Sequence, residues 1–157
     1  MMRMSELPDE VDRMLAARQL ERVVVNVGHA NAVIVTAQRH LETAKLLADT
    51  ADVAMAFTAV YDGTRKALSA VLAIYGLRVR PVGGAHRNAG LAATALMPTA
   101  AEVIAQFDWM RQVRNSTEYP QDARPEATRE DVREAIEAGS AIVAVCAEAI
   151  EEQGAPQ

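Results

Sequence analysis

The chain has 157 residues and a mass of 16.9 kDa, with half of its residues hydrophobic and 24% charged. That size and balance fit one globular domain and exclude a disordered or collagen-like chain, while a net charge of −5 excludes a protein that coats nucleic acid through overall positive charge, a local basic cleft apart. Only 4% of residues are aromatic and 31 are alanine, so the interior must be built from small aliphatic side chains that favour helix over strand, and the fold class read from composition is all-α.

The opening residues MMRMSELPDE hold no apolar stretch of signal-peptide length. A short helix is expected from Pro8, carrying Val11, Met14 and Leu15, so residues 1–27 are read as a short N-terminal helix and a connection. Val23 to Val35 is rich in Val and Ile and reads locally as a strand. No other segment offers a partner, and a lone strand leaves its backbone unsatisfied. A helix is therefore expected from about Gly28 to Ala48, with Val33, Ala37, Leu41, Ala44 and Leu47 on one face.

A further apolar stripe, from Val53 and Phe57 to Leu72 and Tyr75, predicts a helix over about Ala51–Tyr75. GlyLeuArgValArgProValGlyGly, 76–84, reads as a loop, and a shorter helix follows at about His86–Met97. In ProThrAlaAlaGlu, 98–102, Thr99 and Glu102 have capping-box spacing, which predicts a helix to about Thr117 with Val103, Phe107 and Met110 at core positions. Pro120 disfavours helical geometry at Tyr119.

Thr128 is placed to cap a last helix. Its residues Val132, Ile136, Gly139, Val143, Cys146 and Ile150 fall at alternating steps of four and three, a seam suited to a bundle or dimer contact. The bundle is thus read over residues 28–152, with 153–157 as a tail. The single cysteine, Cys146, excludes an internal disulfide and fits a reducing compartment. The longest apolar run near the end, Ala141 to Ala147, is far short of the ~20 residues of a membrane span, so a cytoplasmic protein is expected.

Chemistry is suggested first by Arg114. With Val103 at zero and about 100° per residue, Phe107 falls near 40°, Met110 near 340° and Arg114 near 20°, so the guanidinium continues the apolar stripe and must find oxygen partners there. Arg111 and Asn115 lie on the same flank, and two cations with an amide make an anion-binding shape. The alternative is purely structural: Arg114 pairs with Glu118 one turn on, and Arg111 with acids of a neighbouring helix.

MetArgGlnValArgAsnSerThrGluTyrPro, 110–120, resembles the signature region of HEPN (higher eukaryotes and prokaryotes nucleotide-binding) domains, in which an arginine and a polar residue precede a histidine. TyrAspGlyThrArgLysAlaLeuSerAlaValLeuAlaIleTyrGlyLeu, 61–77, is similar to the long second bundle helix of that family, and HisArg at 86 and 87 fits the opening of the next helix. The resemblance implies an up-and-down bundle of four to five helices, usually a homodimer with arginine motifs facing across a cleft. Many members are metal-independent ribonucleases of toxin–antitoxin, phage-defence or RNA-processing systems, and others have lost the catalytic residues and serve as binding or dimerising modules. The alternative expectation for this chain is an inactive dimeric module that partners a toxin or nucleotidyltransferase, its arginines holding the dimer through salt bridges.

Carried over by position, Arg114 and Asn115 match the motif, and Tyr119 stands where the family has its histidine. A phenol with a pKa near 10 is a poor base at neutral pH. Tyr119 is left to hydrogen-bond a phosphate, stack on a base or anchor the helix end. His86 takes over the acid/base task only if the fold brings it near Arg114, and otherwise is a capping or surface residue. The expected site is therefore Arg114, Asn115 and Tyr119, with Arg111, His86 and Arg87 as binding residues. His29 and His40 complete no metal motif, and the phosphate-loop, dinucleotide, nucleophile-elbow and zinc-protease patterns are missing, so no metal or cofactor is expected.

Overall fold

A computed structural model describes residues 6–118 and 126–155. In chain order they form α1 (Asp9–Ala16), β1 (Leu20–Arg22), α2 (Val27–Leu47), α3 (Val53–Ile74), β2 (Leu77–Val79), α4 (Ala85–Leu96), a 3-10 turn (Pro98–Ala100), α5 (Ala101–Ile104), α6 (Gln106–Glu118) and α7 (Arg129–Gly154). The fold is an all-α, up-and-down bundle centred on α3, which packs against α2, α7, α4 and α6.

Side-chain caps open the three longest helices. Asn26 accepts from His29 N at 2.9 Å to open α2, and Asp52 accepts from Met55 N at 3.1 Å to open α3, each satisfying an amide that the first helical turn leaves over. α7 opens on a full capping box: Asp131 N donates to Thr128 Oγ1 and Thr128 N to Asp131 Oδ2. The α7 N-terminus is tied to the turn between α2 and α3 by the Arg129 guanidinium, which donates to Ala48 O and Thr50 O, both at 2.9 Å.

The core is made by small residues at close range. α2 buries Ala30, Ile34, Ala37, Leu41 and Ala44 toward the bundle. α3 meets it at Gly63, where a Cβ would stand 2.9 Å from Ala37 O and 3.0 Å from His40 Cβ. Only glycine admits the two backbones at that distance. On the other side Gly139 of α7 sits where a Cβ would come within 2.8 Å of Thr64 Oγ1 and Val60 Cγ1. The α7 seam, including Gly139, Val143, Cys146 and Ile150, is therefore buried inside the bundle and is not a dimer contact.

Two expectations are corrected. β1 and β2 form an antiparallel two-stranded ribbon, with Leu20 opposite Val79 and Arg22 opposite Leu77. The stretch 76–84, read as a loop, thus supplies the partner strand that the N-terminal segment needs, while the valine-rich run begins just past the pairing. The ribbon, together with buried Val11, Met14 and Leu20, joins α1 to the core.

The second correction concerns 98–102. Thr99 lies within the 3-10 turn that starts at Pro98, and no side chain caps the turn or α5, so the Thr99–Glu102 capping box does not form. A capping residue needs an extended backbone just outside the helix, and Thr99 is already inside the turn. The expected single helix is divided at Ala105, whose amide still donates to Ala101 O at 2.9 Å. The last helix continues through Gly154, into the expected tail. Among the described residues no helix is long and apolar enough to cross a membrane.

Candidate functional site

Three helices converge on one phenol. Tyr61, midway along α3, is fully buried. Its ring stacks on Phe107 of α6, with centroids 5.2 Å apart and planes 9° from parallel. Its hydroxyl lies 2.9 Å from Nδ1 of His86 in the first turn of α4. Arg114, two turns beyond Phe107 on the same face of α6, sets its guanidinium carbon 5.4 Å from the centre of the Tyr61 ring, within cation–π range. Gly90, one turn on from His86, makes room for this layer, since a Cβ there would stand 3.2 Å from the Phe107 ring.

The electrostatics follow from that packing. Burial pushes the Tyr61 phenol up to about 12, a shift that the charges of Arg114, Arg65 and Arg111 oppose. His86 is pushed below the ordinary histidine value, first by burial and then by Arg65 and Arg114, with Asp62 acting the other way. Arg65 lies one turn along α3 from Tyr61; its Nε is buried and has no hydrogen-bond partner among the described residues. The centre is thus a neutral phenol and a neutral imidazole surrounded by cations.

Of the residues expected from sequence, Arg114 and His86 are brought to the same ring. Arg111 is next to them, and its charge acts on both Tyr61 and His86. Its partner is Asp108 on its own helix, at 2.9 and 3.1 Å, and not an acid of a neighbouring helix. That contact, with a further bond from Gln112 at 2.8 Å, holds the Asp108 carboxyl below its usual range. Asn115 is partly buried on α6. Arg87 is exposed and lines a depression with Gly90, Thr94, Phe107 and Asp108, where its charge acts on Asp108, the partner of Arg111. Tyr119 and the side chain of Glu118 lie outside the described residues.

Sequence reasoning assigned no role to Tyr61 or Arg65. The available signal is the polar group Asp62, Arg65 and Lys66 halfway along an otherwise apolar helix. Lys66 serves a second imidazole: its Nζ lies 3.0 Å from Nε2 of His40 on α2, and burial followed by the Lys66 charge lowers the His40 pKa. Among the described residues no three His, Cys, Asp or Glu side chains come together in a way that could hold a metal ion.

No curated protein and no solved structure gives a significant match to the chain. The family model described as HEPN domain matches residues 30–150, from the first turn of α2 to near the end of α7. The chain belongs to the HEPN domain family.

Proposed function

We propose that the domain binds a phosphate of RNA or of a nucleotide where Arg65, Arg114 and His86 surround Tyr61, and that it works as a homodimer in a toxin–antitoxin or phage-defence system. The observation that carries this reading is the Arg114 guanidinium 5.4 Å from the centre of the buried Tyr61 ring, with the buried Arg65 Nε one turn along α3 from that tyrosine, in a chain whose net charge is −5. A focused cationic spot on an acidic protein suits a single anionic group better than a long polyanion.

As a metal-independent ribonuclease the domain would promote attack of the ribose 2′-oxygen on the adjacent phosphorus. The O2′–P bond forms, the P–O5′ bond breaks, and the 2′-hydroxyl proton leaves as the 5′-oxygen gains one. Arg114 would stabilise the negative charge on the phosphorane, Asn115 would orient the phosphate or the 2′-hydroxyl, and Tyr119 or His86 would handle protons. Tyr119 in the histidine position favours a second reading, an inactive dimeric module that partners a toxin or nucleotidyltransferase.

Arg114→Ala separates the two. Loss of oligoribonucleotide cleavage or binding, with the dimer intact by light scattering, supports the phosphate site. Dissociation of the dimer with RNA binding unchanged supports the module and contradicts the site.

A further inference from the structure

We propose that Tyr61 is a positioning residue for His86: its hydroxyl donates to Nδ1 and holds the imidazole as the tautomer protonated on Nε2, so that His86 offers a phosphate oxygen a neutral N–H donor beside Arg65 and Arg114. The direction of this hydrogen bond follows from what surrounds it. The Tyr61 hydroxyl is buried, and among the described residues Nδ1 is its one hydrogen-bond partner, at 2.9 Å. The cations near it, Arg65, Arg111 and Arg114, are donors and accept nothing. If Nδ1 carried the proton and donated to the phenol, the buried O–H would have nowhere to go, which is the costly arrangement.

The charge state of both groups agrees. Burial keeps the phenol protonated far above neutral pH. The groups acting on His86 are Tyr61, Asp62 and Arg65 from α3 and Arg111, itself paired with Asp108, and Arg114 from α6; burial first, and then Arg65 and Arg114 against Asp62, keep the imidazole neutral. A neutral imidazole whose Nδ1 accepts carries its proton on Nε2. The ring is only partly buried, and its Nδ1 edge is turned to the phenol, so the opposite edge is the one a ligand meets. Held in this way, His86 donates a hydrogen bond and does not remove the 2′-hydroxyl proton, which narrows the two proton-handling candidates named above to Tyr119.

Nitrogen NMR of the histidine rings at pH 7.5, without ligand, tests the tautomer. The expected result is an unprotonated Nδ1 and a protonated Nε2 for His86 in the wild type, and a mixture of tautomers in Tyr61→Phe, which keeps the stacked ring. A protonated Nδ1 in the wild type, or an unchanged His86 spectrum in Tyr61→Phe, overturns the proposal; the wild-type spectrum decides even if the variant does not fold.

The donor role rests on the phosphate reading above and is tested by binding of a short oligoribonucleotide. His86→Gln, which restores an N–H near Nε2, is expected to bind within about threefold of wild type, and His86→Ala about tenfold more weakly. A loss with Gln as large as with Ala overturns the donor role. If the wild type binds no oligoribonucleotide, the phosphate reading fails, and the NMR result still judges Tyr61.

Discussion

α3 meets its neighbours in two different ways. Toward α2 and α7 it presents Gly63, Val60 and Thr64, and the contacts are small-residue and close, Gly63 facing a backbone carbonyl. Toward α4 and α6 it presents Tyr61 and Arg65, and the contact is a layer of rings with guanidinium groups around it. The first side is held by steric fit and tolerates no added atoms. The second combines a large apolar contact area with polar groups that share one hydrogen-bonded centre. One helix thus supplies both the frame of the bundle and the ring around which its candidate site is built.

The largest expected effect breaks the second side. Phe107→Ala removes the ring stacked on Tyr61 and leaves a cavity in the core, costing about 3–5 kcal/mol in urea unfolding. It should also release Tyr61 and so weaken oligoribonucleotide binding. Gly63→Val breaks the first side: its added carbons meet Ala37 O and His40 Cβ, and about 1–3 kcal/mol of stability should be lost. If the two sides are distinct, any Gly63→Val protein that remains folded keeps its oligoribonucleotide affinity. Equal loss of binding in both variants would merge the two sides into one.

A smaller effect appears with pH. His40 and His86, one on each side of α3, both have pKa values below the ordinary histidine value in the folded chain, so the unfolded chain binds more protons as pH falls. Stability should be fully present above about pH 6.5, the unfolded value, and decline as pH drops toward the lowered folded values. Thermal melts of wild type and of His40→Gln combined with His86→Gln between pH 7.5 and 5 check this, the double variant losing less over that range. An equal loss in the two proteins would place the acid sensitivity elsewhere.

What could be read from the sequence was local. The faces of α2 and α7, the Thr128 cap and the position of Arg114 on the Phe107–Met110 stripe depend on residues within a few turns of one another, and helical spacing reports them. The β1–β2 ribbon was missed because residues 20–22 and 77–79 lie across two long helices in the chain, and three residues per strand are too few to show alternation. The Thr99 box failed because two separated letters specify a cap only if the backbone between them begins as α-helix, and Pro98 begins a 3-10 turn.

For the site, Arg114, Arg111 and His86 were legible as separate candidates. Their meeting was not, because it is made by Tyr61, an aromatic residue in the middle of a helix that reads as ordinary core, and by Gly90, which lets Phe107 reach it. Arg87, adjacent in sequence to His86, does not share its contact with Tyr61 because neighbouring residues on a helix point about 100° apart; it lies toward Asp108 instead.

The most direct test of a phosphate received by Arg65, Arg114 and His86 is the salt dependence of binding to a short single-stranded oligoribonucleotide, compared between wild type and Arg114→Gln. The account predicts weaker binding by the variant and a log–log slope shallower by about 0.7, the release of roughly one counterion fewer. Identical affinity and slope in the two proteins, with the fold intact, would contradict it.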